Sequence, residues 1–224
     1  TYYEHLDMGY KKITLIGAGA DSTVIDAQNQ GMGLIIRSSQ ASVVGFGFKN
    51  GGAPNYNIKW VSSYGYHNVP TGILSGDQSQ QPLIKNCAVY DNQTGIYGNA
   101  VVEESRVYNN TIGLQGYWIS PQISQSAFYG NDVALHISNA SNTRIENSII
   151  RDNQLALHTR SDLNAWSFPY SIINSSIVFN AAFLNSSEGA YMRVINSIIY
   201  ENGDSNFIDL NQAHDSAYVT HSII

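Results

Sequence analysis

Two histidines occupy the same local phrase twenty-two residues apart, Ala134-Leu135-His136 and Ala156-Leu157-His158. A chain repeating at that interval would lay the two imidazoles on neighbouring strands, about 5 Å apart. Like charges at that distance oppose protonation of both rings, which would keep one neutral as a base or a metal ligand. Arg160 follows two residues after His158 and adds a cation. Together the three fit acid or base work on an acidic sugar. The same residues also read as an exposed stacked ladder with no catalytic part.

Each histidine stands five positions after an Asn, and the equivalent positions form a row: Tyr97, Gln115, His136, His158, Asn185 and, allowing a two-residue insertion, Asp209. Every member is polar and hydrogen-bonding, as a ligand surface requires. A second row, two positions before each Asn, reads Tyr66, Tyr90, Tyr108, Tyr129, Arg151, Val178 and Tyr200. Aromatic faces at one-coil spacing suit successive sugar rings, with Arg151 as a charged contact, or they simply protect a sheet. Two excursions carry further aromatics. Residues 51 to 81 hold Tyr56, Trp60, Tyr64, Tyr66 and His67, and residues 160 to 170 hold Asp162, Trp166, Phe168 and Tyr170. Loops on a rigid scaffold commonly bind ligands, and Trp166 is the foremost candidate among these residues.

What must position these rows is a nine-residue phrase: an apolar residue, then Asn, Glu or Gln two positions later, usually Ser next, an apolar residue at the sixth position and Asn at the ninth. It runs over Ile84 to Asn92, Val102 to Asn110, Ile123 to Asn131, Ile145 to Asn153, Ile172 to Asn180 and Val194 to Asn202. Successive ninth-position Asn residues are 18, 21, 22, 27 and 22 residues apart, close to one coil of a β-solenoid. Period-two alternation and β-branched residues give strands, with a second strand marked by Ile73, Ile96, Leu114, Leu135, Leu157, Leu184 and Ile208. Two apolar columns are thus expected inside. Ser105, Ser126, Ser148, Ser175, Ser197 and Ser222 suit a tight interior corner. The Asn column suits a turn, where its amides bond one another and the main chain.

The repeat spans most of the 224 residues without a linker, so one elongated domain over 1–224 is expected. Charged residues are 12% and the net charge is −6, with no basic stripe, which argues against nucleic acid and for neutral polar ligands such as glycans. No 18-residue apolar stretch suggests membrane insertion. Cys87 is alone and stands where later coils carry Ser, so it reads as a small buried residue without disulfide or metal. Carboxylates are scattered. Glu103 and Glu104, Glu146, Asp152 and Glu201 fall in different columns or coils, and the column of Asp91, Asp152 and Glu201 is broken by Asn109, Gly130 and Phe179. Neither a carboxylate pair nor a calcium cage can be drawn, and no cofactor is expected. Sequons at Asn92, Asn109, Asn139, Asn174 and Asn185 lean toward secretion or the cell surface.

The opening segments Glu4 to Asp7, Lys12 to Asp26 and Val43 to Gly51, followed by the Asn phrase, resemble the right-handed parallel β-helix repeat family, the pectate-lyase-like group. The resemblance covers nearly the whole chain. It implies an all-β, single-stranded right-handed parallel β-helix of roughly 18–27 residues per coil, with Asn and Ser ladders. It also implies a portion of a longer protein whose N-terminal cap precedes Thr1. Relatives that cleave use calcium with a Lys or Arg base, clustered Asp, or two Asp with an Arg, and those motifs do not transfer to this chain. Two functions follow as expectations. One is an extracellular carbohydrate-interacting module that binds or cleaves polysaccharide, lyase-like or hydrolase-like if an enzyme. The other is a structural or adhesive solenoid capable of end-to-end self-association.

Overall fold

The computed structural model describes residues 1–52, 70–76, 79–139, 142–160, 170–186, 191–203 and 216–223. Their regular elements are all strands, arranged in three sheets in which every ladder is parallel. Neighbours within each sheet come from successive coils, so the chain is a parallel β-helix.

One coil shows how the phrase folds. Gln122–Ser124 lies in sheet I, Ala127–Tyr129 in sheet II and Val133–Ser138 in sheet III. Only the middle residue of each three-residue strand is buried, as a two-residue period dictates. Ile123, Phe128 and Leu135 point inward from the three sheets, each no more than 1% exposed. Stacked on the same positions of other coils, they form one continuous core. Each such side chain contributes roughly 1.5–3 kcal/mol by leaving water, and only stacking allows it, since a single coil cannot cover its own apolar face.

The sequence reading of two strands and two apolar columns per coil needs correction to three. The stretch before the ninth-position Asn is not one alternating strand but two, because the residue at the third position takes a left-handed backbone. Asn86, Glu104, Gln125, Asn147, Asn174 and Asn196 all have φ near +50°. Among residues that carry a side chain, Asn tolerates this region best, which explains its frequency there. The second corner repeats the device one residue before the ladder Asn, at Asp91, Asn109, Gly130, Asp152, Phe179 and Glu201. Ile208 lies outside the described residues.

Both corners are tied by interior ladders. The backbone N–H groups of Cys87, Ser105, Ser126, Ser148, Ser175 and Ser197 each donate to the next Ser Oγ at 3.1 Å. From Asn92 to Asn180, each Asn donates both its backbone N–H and its Nδ2 to the Oδ1 of the next Asn, at 2.8–3.1 Å, and Asn202 ends the described run. The same Nδ2 atoms also reach local carbonyls such as that of Tyr129. Corner groups that no β-ladder can pair are satisfied in this way. Cys87 occupies the Ser place, 1% exposed, and burial raises its thiol to about 11.

Candidate functional site

Parallel pairing in sheet III aligns Tyr97 with Gln115, Gln115 with His136, His136 with His158, and His158 with Asn185. Five of the six members of the row expected from the sequence therefore form one continuous line across five strands. Its members face outward because Ile96, Leu114, Leu135 and Leu157, one position earlier, fill the core. Tyr97, Gln115, His136 and His158 are half-buried and Asn185 is exposed. The imidazoles stack with centroids 4.3 Å apart and planes 4° from parallel. Ring lone pairs in parallel planes do not converge on one ion, so this pair is no chelate. Gln115 accepts a hydrogen bond from Thr94 Oγ1 at 3.3 Å. Toward the first coils the same line becomes apolar: Ile35 pairs with Leu74 and Leu74 with Tyr97, and these three with Met32 form a separate cluster outside the core. The backbone of Arg160 extends the strand and pairs with Ser138. Trp166, Asp209, Asp162 and Phe168 lie outside the described residues, as do Tyr56, Trp60, Tyr64, Tyr66 and His67. Tyr170 is corrected from loop aromatic to core residue: it is 6% exposed, its hydroxyl donates to the Ile137 carbonyl at 3.1 Å, and burial raises its phenol.

The tyrosine row is present on sheet II, but its geometry changes its reading. Tyr90 and Tyr108 stack at 5.0 Å and 3°, Tyr108 and Tyr129 at 4.9 Å and 1°, and the Arg151 guanidinium lies 4.9 Å over Tyr129. The ring faces are turned to one another, so successive sugar rings cannot dock on them; edges and hydroxyls face outward. Burial, followed by the neighbouring phenols, raises Tyr108 to about 12. Ion pairs terminate the row. Lys49 precedes Tyr90 in register and pairs with Asp26 at 3.3 Å, while Arg151 pairs with Asp152. Although its partial burial pushes upward, hydrogen bonds from Asn50, the Gln28 N–H and Lys49 leave the Asp26 carboxyl below its usual range.

Many described carboxylates are engaged. Glu103 and Glu104 both meet Lys85, at 3.4 and 3.0 Å, and Glu146 meets Arg144 at 2.9 Å. Asp21 reaches across 85 residues to Arg106 at 2.7 Å. The broken column of Asp91, Asp152 and Glu201 is explained by its left-handed corner, where Asn109, Gly130 and Phe179 also stand. Among the described residues, no three of His, Cys, Asp and Glu cluster so as to hold a metal, and no helix is long and apolar enough to cross a membrane. The sequence reading gave no role to the third-position column of Glu104, Gln125, Asn147 and Asn174, which lines a shallow groove between sheets I and II. Its signal was in the phrase itself, as the recurring amide or carboxylate two positions after the first apolar residue.

No protein family matches the sequence, and no curated protein matches it. Among solved structures, a pectin methylesterase from carrot is similar, with a TM-score of 0.47 and 12% identity over 98% of this chain and 76% of that one. The three parallel sheets and the paired interior ladders are the chain's own, and they make it a parallel β-helix, the architecture that the sequence resemblance implies.

Proposed function

We propose that this chain is an extracellular glycan-binding β-helix module whose ligand lies along the outer face of sheet III. The observation that carries the reading is the unbroken register of Tyr97, Gln115, His136, His158 and Asn185. A line of hydrogen-bonding groups at strand spacing, about 4.8 Å, suits a polymer that presents hydroxyls at regular intervals. Arg160 continues the strand beyond His158, and Arg160, Trp166 and Asp209 are assigned to the same ligand. Tyr108, Tyr129 and Arg151 take a lesser part through hydroxyls and charge. The partner is a polysaccharide, with no nucleic acid and no membrane insertion.

Binding is favoured over cleavage. Hydrolysis of a glycosidic bond needs two carboxyl groups facing one substrate, whereas Glu103, Glu104, Glu146 and Asp152 are each held by a cation. The second reading is a structural or adhesive solenoid that self-associates end to end, and the stacking of equivalent coils on interior Asn and Ser ladders supports it. Titration of a glycan array hit into the His136→Ala/His158→Ala variant separates the two. The binding module loses affinity with its fold intact; an array without hits, or a variant that binds as before, removes the sheet III site.

A further inference from the structure

The groove between sheets I and II has a volume of about 490 Å³ and crosses four coils. Its floor is the Ser corner, with Ser105, Ser126 and Ser148 buried beneath. One side is the exposed column of Glu104, Gln125, Asn147 and Asn174; the other is the outward row of Arg106, Ala127, Ile149 and Ser176. That row is low, and beyond it stands the tyrosine stack, two residues along each strand. One end of the groove is closed. The loop at Ala20 and Asp21 folds over sheet II so tightly that a Cβ at Gly47 would lie 2.6 Å from the Ala20 carbonyl, and Asp21 pins Arg106. The cleft therefore begins at Arg106 and runs along the solenoid axis past Ala127 and Ile149 to Ser176.

We propose that this groove is a second, separate binding site for an uncharged, extended glycan lying parallel to the solenoid axis. Charge supports the neutrality of the ligand. Both ionic groups of the lining are already compensated, Glu104 by Lys85 and Arg106 by Asp21. What the groove offers instead are amides. Gln125 and Asn147 make no side-chain hydrogen bond among the described residues, and Asn174 accepts one from Asn196 at 2.7 Å. A primary amide donates and accepts side by side, which matches neighbouring hydroxyls on a sugar ring. Ala127 and Ile149 give the opposite side an apolar strip for the C–H face of the ring.

Spacing supports the extended form. Successive amides are separated by one strand step, about 4.8 Å, and the groove spans three steps, about 14 Å. A linear chain of six-membered sugar rings advances by close to one ring per step, so successive amides meet successive rings. An extended peptide advances about 3.3 Å per residue and falls out of register at once. A nucleic acid would need uncompensated cations along its phosphates, which this lining lacks.

The site stands apart from the sheet III reading and survives its failure. The test follows the side-chain amide signals of Gln125 and Asn147 by NMR while cellohexaose, and separately hexagalacturonate, is added to the whole chain. Gln125→Gly/Asn147→Gly is the matched variant, because glycine keeps the left-handed corner while removing the amides. Cellohexaose is expected to shift both signals and to bind roughly tenfold or more weakly to the double variant. In His136→Ala/His158→Ala the cellohexaose-induced shifts of the Gln125 and Asn147 amides are expected to persist, since those signals report on the groove alone. Unmoved amide signals, or equal affinity in the glycine variant, would overturn the proposal. Preference for hexagalacturonate would overturn its neutral class, and loss only in the histidine variant would return the ligand to sheet III.

Discussion

On sheet II the outward side chains spend their contacts on one another. Tyr90, Tyr108 and Tyr129 cover each other's faces, Arg151 covers the last ring, and the ion pairs to Asp26 and Asp152 end the line. Sheet III has the same strand spacing, but its row changes residue type at nearly every step, so like stacks on like only at His136 and His158. The contrast is one of composition. Identical planar side chains in register close a face by self-stacking, while a mixed row of amide, imidazole and phenol presents hydrogen-bonding groups of several kinds outward. Shape alone does not separate a structural face from a candidate binding face in a solenoid.

Both faces depend on the interior, and the largest effect is expected there. Leu135→Asp places a charge beneath His136, in a side-chain position 1% exposed, and should cost ~4 kcal/mol or more, read as loss of cooperative unfolding by circular dichroism. Asn153→Ala strands the Asn131 N–H and breaks the amide ladder between adjacent coils, with an expected loss of about 2–3 kcal/mol in denaturant titration. Retained stability in either variant would show that the two faces do not share this support.

Next comes the sheet II stack itself. Tyr108→Ala removes two ring contacts and should destabilise by about 1–3 kcal/mol while lowering glycan affinity far less than His136→Ala/His158→Ala does. Reduced affinity with stability unchanged would reverse the roles of the two faces. The stack also has a pH signature. Tyr108 is raised above its ordinary 10.0 to about 12, so the folded form holds the phenolic proton more tightly than the unfolded chain. Stability from this group is complete below pH 10 and falls as the pH rises toward about 12. Unfolding measured across that window should show the decline, and Tyr108→Phe should remove this group's share of it.

Much of this was legible in the sequence because solenoids turn periodicity into contact. The phrase located the Asn ladder, the Ser corner and the alignment of His136 with His158, since each follows from matching successive coils in register. The third sheet was not legible. A left-handed residue such as Gln125 breaks a strand without altering the alternation of apolar positions, so Ile123 and Phe128 read as one strand. Ring orientation was equally hidden: equal spacing of Tyr108 and Tyr129 is compatible with open faces or closed ones. Tyr170 was misplaced because it follows a polar, aromatic insertion, and nothing local marks its hydroxyl as paired with the Ile137 carbonyl. The closure of the groove by Asp21 and Arg106 joins residues three coils apart, beyond the reach of a nearest-coil rule.

The central claim, that the sheet III row receives the ligand while the sheet II stack serves the fold, is tested most directly by the imidazole proton signals of His136 and His158 during titration with a glycan that binds the chain. The account predicts that both move together and that the ring signals of Tyr90, Tyr108 and Tyr129 barely change. Stationary imidazole signals beside shifting tyrosine signals, at saturating ligand, would contradict it.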